Sequence, residues 1–228
     1  NSLLLPDGSF KPSFGDQKPT TWLEVLTKNL FAELDVEALP SALSGLRIVC
    51  FNYDRCIEVF LRRAIQDYFL VDSLQAESLV DSIKIIHPYG SRGRIWNEAR
   101  ALQFAETIAR FDVSNSANKI RPFHEGVTDP SIADDIRQSM AWAETLVFLR
   151  FGYLQQNMEL IRPAPGSLLN SQKRAYMTVL GLSEENCEAA KVLVRTAFHD
   201  GQSTIVSIRN TSAERTCSQL LDSHRAEL

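Results

Sequence analysis

Apolar residues recur along this chain in two rhythms, one belonging to amphipathic helices and one to buried strands. Ile57, Phe60, Leu61, Ala64, Ile65 and Tyr68 follow the i, i+3, i+4, i+7, i+8, i+11 spacing of one helix face. Arg55, Glu58, Arg62, Arg63 and Gln66 fall on the other side, and Asp54 stands where an N-cap belongs. An earlier helix is predicted from Thr20 or Thr21 to Leu34, with Trp22, Leu23, Val25, Leu26, Leu30 and Phe31 as its apolar side. Residues 35–45, which include Pro40, read as a connector. Further helices are predicted over 74–82, 97–110, 132–143, 155–161 and 212–228. One more begins at a Ser183 cap, with Glu184 and Glu185 well placed in its first turn, and ends near Asp200 and Gly201.

Between these helices lie short runs too continuously apolar for half-exposed strands: LRIVCFN (46–52), IKII (83–86), TLVFLRF (145–151), AYMTVL (175–180) and TIVSI (204–208). Such runs are typical of strands buried on both faces of a parallel sheet. Strand and helix in alternation predict an α/β fold with one mainly parallel sheet and helices on both faces. Residues 1–45 then form a lead-in and helix, and 46–228 the α/β domain. The start at Asn1 points to truncation, processing or an upstream leader. Residues 111–130 read as irregular, and no internal repeat or low-complexity tract is present.

In open parallel sheets, ligands bind beyond the carboxyl ends of the strands. Here those ends are Asn52–Asp54, His87–Gly90, Gly152–Tyr153 and Gly181–Ser183. The set offers an amide, a carboxylate, an imidazole and glycine turns, which suits a polar small molecule. Asn52 and Asp54 are two apart, so an extended exit turns both side chains the same way. The plain structural reading is a helix cap for Asp54, a satisfied turn for Asn52 and a strand-closing backbone hydrogen bond for His87.

Composition narrows the classes. The 228 residues are 44% hydrophobic and 23% charged, ordinary for a soluble globular protein. A net charge of −4 gives no global attraction to nucleic acid or anionic membrane. Arg outnumbers Lys 17 to 7, and Arg92 and Arg94 follow a glycine turn where they suit phosphate contact or plain solvation. Among only ten glycines, no two are separated by a single residue, so there is no GxGxxG fingerprint and no GxxxxGK[ST] loop. Cys50, Cys56, Cys187 and Cys217 form no CxxC and show no zinc-finger spacing. They read as reduced thiols of a cytoplasmic protein without metal or disulfide. His124-Glu125 lacks the second histidine of HExxH, and the serines lack a GxSxG elbow. His199 and His224 fall on helical surfaces. No apolar stretch is long enough for a membrane span.

The order FNYDR (51–55), IHPYGS (86–91), FLRFGYLQQNMEL (148–160) and VLGLS (179–183) resembles the divergent bacterial sirtuin-like domains. There, an N-x-D turn follows one strand, an H-G or H-x-Y-G turn the next, and an FGF or FGY turn with a following Asn comes later. The resemblance covers roughly residues 46 to 183 and implies a Rossmann-like fold and NAD chemistry at the nicotinamide–ribose bond. It implies that Asn52 contacts the nicotinamide ribose or positions a water, and that Asp54 holds the carboxamide. It makes His87 a general base toward a ribose hydroxyl, a role suited to a group titrating near neutrality. It also implies that Gly152 and the backbone around it approach the adenosine side, and that Gly90, Ser91, Tyr153 and Asn157 join the cofactor-binding set.

The chain departs from that pattern in lacking the opening Gly-rich strand-turn and the four-cysteine zinc ribbon, and in having Arg150 where relatives often carry a small residue. NAD hydrolysis, in a setting of defence against phage, is therefore the implied activity rather than protein deacylation. A non-catalytic nucleotide sensor and an α/β interaction scaffold are the alternatives, and a homo-oligomer or a partner domain is open under each reading.

Overall fold

The computed structural model describes residues 21–91, 96, 127, 129–167, 173–199, 207–209 and 216–226. The expectations for 1–19, Arg92, Arg94, 97–110, most of 111–130 with His124-Glu125, Asp200 and Gly201, 204–206 and 212–215 lie outside the described residues. Two units divide the chain, 1–128 and 129–228.

In the first unit, α1 (Trp22–Phe31) begins at a capping box: the Thr21 hydroxyl accepts from the Glu24 amide, and the Glu24 carboxylate accepts from the Thr21 amide. Then follow α2 (Leu39–Ser44), β1 (Arg47–Val49), α3 (Cys56–Phe69), α4 (Ser73–Asp81) and β2 (Lys84–Ile86). The helix α2 replaces the expected connector. Pro40 lies in its first turn, where a missing amide breaks no helical hydrogen bond, so this proline starts a helix instead of interrupting one. Leu39 and Leu43 bury fully in a core with Phe31 of α1 and with Phe60, Leu61, Ala64 and Ile65, which α3 supplies from its expected face. That burial puts α1 in the core of the first unit. Tyr68 departs from the same face: it is 42% exposed and leans on the Phe31 and Phe69 rings.

β1 and β2 pair in parallel, Arg47 opposite Lys84 and Val49 opposite Ile86, and the Cys50 amide extends the ladder to the Ile86 carbonyl at 2.8 Å. A parallel pair of adjacent strands needs a long crossover, which α3 and α4 provide. Both strand exits therefore lie at the same end of this pair.

The second unit contains α5 (Pro130–Trp142), β3 (Thr145–Phe148), α6 (Gln155–Ile161), β4 (Arg174–Met177), α7 (Glu184–Ala197), β5 (Ser207–Arg209) and α8 (Cys217–Ser223). Its sheet order is β3-β4-β5, all parallel, and central β4 buries Ala175, Tyr176 and Met177. Ser183 caps α7 by accepting from the Asn186 amide, as its sequence predicts. Lys173 is buried to 1% exposure and donates to the carbonyls of Ala141 and Ala143 at the end of α5. His224 is not a plain surface residue: its ring lies 4.7 Å from that of Tyr176.

The chain is thus mixed α/β with parallel strand pairing throughout the described residues. In place of one sheet, the described strands form two ladders, β1-β2 and β3-β4-β5, and β1 to β4 are shorter than the apolar runs that announced them. Residues 50–52 and 149–151, the last of their runs, belong to the exits, where the backbone has left the ladder to turn toward the next helix.

Candidate functional site

The exits of β1 and β2 meet through His87. Its Nδ1 lies 2.9 Å from the Asn52 carbonyl, and its Nε2 lies 3.0 Å from Glu58 Oε1. Both partners are acceptors, so both ring nitrogens carry hydrogen and the ring is an imidazolium. Burial favours the neutral ring, but the Cys50 thiol, the Glu58 carboxylate and the Asn52 carbonyl outweigh it and raise the pKa to about 10. Only 7% of the side chain is exposed. A ring held this way has no lone pair to offer a ribose hydroxyl, which bears directly on the general-base role implied by the sequence.

Glu58, assigned by periodicity to the polar side of α3, is buried at 2% exposure. It sits in the first turn of the helix, and its Oε1 accepts from Arg55 Nε at 2.6 Å as well as from His87. Burial works to raise its pKa, yet the His87 hydrogen bond and the Arg55 guanidinium prevail and hold the carboxyl below its ordinary value. Its Oε2 is buried and has no hydrogen-bond partner among the described residues. Arg55 continues the chain of contacts through Nη1 to Ser91 Oγ at 3.2 Å. The signal for Glu58 was the R-x-x-E spacing directly after the N-x-D turn, which places an acid beside an arginine at the strand exit.

Asn52 and Asp54 are both exposed on the β1 exit. The Asn52 carbonyl also accepts from the Cys50 thiol at 3.7 Å, while its side-chain amide makes no hydrogen bond among the described residues. Asp54 lies one residue ahead of the N-cap, which is Arg55, and still tethers the helix start: its Oδ1 accepts from the Cys56 amide at 3.0 Å. Burial, reinforced by Asp54, pushes the Cys56 thiol up to about 12, so this cysteine is a poor nucleophile. At the β2 exit the Gly90 amide closes a turn onto the His87 carbonyl at 3.1 Å, with Pro88 at its second position. Gly90 has φ +85°, the left-handed region that glycine adopts without strain.

Gly152, Tyr153 and Asn157 belong to the second unit. Gly152 is exposed, and a Cβ there would meet Leu154 Cγ at an ordinary 3.7 Å, so nothing in its surroundings demands glycine. The left-handed residues of this turn are Arg150 (φ 51°) and Tyr153 (φ 49°). Thr178 holds both in place: its hydroxyl accepts from the Arg150 amide at 2.7 Å, and its carbonyl accepts from the Tyr153 hydroxyl at 3.2 Å. Asn157 is buried on α6. Among the described residues no group of His, Cys, Asp and Glu is arranged to hold a metal, and the four cysteines are free thiols. No described helix is long and apolar enough to cross a membrane.

No protein-family model matches the chain, nor does any curated protein or solved structure.

Proposed function

We propose that the chain is a Rossmann-like, sirtuin-like domain that binds NAD beyond β1 and β2 and hydrolyses the nicotinamide–ribose bond. The observation supporting this reading is the meeting of Asn52 and His87 at one end of a parallel strand pair, 2.9 Å from ring to carbonyl. The donor set fits the nicotinamide riboside end of NAD. An exposed amide and an exposed carboxylate two residues apart match a carboxamide and ribose hydroxyls, which themselves both donate and accept.

In hydrolysis, water adds to the ribose carbon, the carbon–nitrogen bond breaks, nicotinamide leaves with the bonding electrons, and one proton is released. The leaving group departs neutral and needs no general acid. The oxocarbenium-like state asks for position and charge more than for a strong base. In this proposal Asn52 places ribose or water, Asp54 holds the carboxamide, and His87, both of whose nitrogens are engaged, acts by fixing the turn that carries Asn52. Cytoplasmic depletion of NAD in defence against phage is the biological setting we attach to it.

A second reading, a nucleotide sensor that binds without cleaving, is favoured by the same ring, since it supplies no base as it stands. The test is release of nicotinamide from NAD by the purified chain, measured beside NAD binding by calorimetry. We expect release by the wild type, lowered ~10²-fold in Asn52→Ala through misplacement of the reacting groups. Binding without release would give the sensor reading the field, and absence of binding would refute both.

A further inference from the structure

We propose that Glu58 is a positioning residue of this site: one carboxylate oxygen clamps the His87 ring against the Asn52 carbonyl while Arg55 clamps the carboxylate. Three elements thereby lock into one another, the first turn of α3, the exit of β2 and the exit of β1. The distances are 2.6 Å from Arg55, 3.0 Å from His87 to Glu58 and 2.9 Å from His87 to Asn52.

Stability alone is a poor account of this carboxylate. Buried ion pairs are commonly no more stabilising than apolar side chains of the same size. Here the cost is compounded, because Oε2 is buried with no hydrogen bond among the described residues. What the pair provides is orientation. A ring with two donors in line with two fixed acceptors cannot rotate without breaking both bonds, and Asn52 inherits that rigidity. Among the described residues, the titratable groups acting on the ring are Glu58 in the first turn of α3 and the Cys50 thiol just past β1, while Arg55 acts on it through Glu58.

The role in turnover rests on the NAD reading, whereas the hold on His87 does not, and the two are separable by experiment. In the full chain, the His87 ring is followed by NMR through a pH titration in wild type, Glu58→Gln and Glu58→Asp. Loss of the carboxylate charge should lower the His87 midpoint by ~1–3 units in Glu58→Gln. Glu58→Asp, one methylene shorter, should fall between. Should Glu58→Gln fail to fold, Glu58→Asp bears the same test. Nicotinamide release should drop ~10²-fold in Glu58→Gln and recover in part in Glu58→Asp, with KM for NAD moving less than kcat. An unchanged His87 midpoint in a folded variant overturns the proposal whatever the protein binds. A lowered midpoint with release equal to wild type overturns the role in turnover. A lowered midpoint in a chain whose wild type releases no nicotinamide upholds the clamp and refutes hydrolysis.

Discussion

Alkaline pH should loosen the β1–β2 exits, and the Glu58–His87 pair sets the window. His87 has its pKa raised from 6.5 to about 10 in the folded chain. A raised pKa contributes stability that is complete below the unfolded value, declines above pH 6.5 and is gone beyond about pH 10. Glu58 has its pKa lowered from 4.5, so its own contribution is present above pH 4.5 and lost as the pH falls through the folded value. The pair therefore contributes fully between about pH 4.5 and 6.5. Deprotonation removes one charge-assisted hydrogen bond, since a neutral ring donates from only one nitrogen and faces two acceptors. Such a bond is worth ~1.5–3 kcal/mol. With ~2–4 °C of Tm per kcal/mol for a chain of this length, the loss is ~3–12 °C. The assay is urea unfolding of wild type and His87→Gln at intervals from pH 6 to 10.5. Lysines and tyrosines that titrate near the top of the range affect both proteins, so the difference between them isolates the pair. That difference should be largest near pH 6 and shrink steadily toward pH 10. A difference that stays constant across the range would refute the ion pair.

Lys173→Met should destabilise the second unit by ~1–3 kcal/mol in urea unfolding, because Lys173 Nζ satisfies the last carbonyls of α5 from a fully buried position. Asp54→Ala should cost about 1 kcal/mol through the lost tether at the start of α3. It should also speed alkylation of Cys56 by iodoacetamide, since Asp54 helps to hold that thiol protonated. An unchanged alkylation rate would show that burial alone governs the thiol.

What was legible in the sequence was what periodicity reports. The apolar face of α3, Ile57 to Ile65, points into the core as its spacing requires, and the parallel pairing of β1 with β2 follows from two apolar runs and a helical crossover between them. Proline misled at α2, because one residue type marks both a loop and the first turn of a helix, and only the burial of Leu39 and Leu43 distinguishes them. Glycine misled at the FGY turn, where the left-handed backbone falls on Arg150 and Tyr153 and is held by Thr178, a residue 28 positions from Arg150 and 25 from Tyr153.

Glu58 escaped for a more instructive reason. Helical periodicity reports which side of a helix meets the layer beneath it, but the first turn of α3 also abuts the strand exits. Burial there is decided by what the neighbouring strand presents, and that partner, His87, stands 29 residues away. The same fact explains why His87, which the resemblance makes a base titrating near neutrality, is a different chemical object in place. A carboxylate on one nitrogen and a carbonyl on the other make it a fixed cation, so what this strand edge leaves exposed is Asn52 and Asp54, and the ring's part is to hold the first of them.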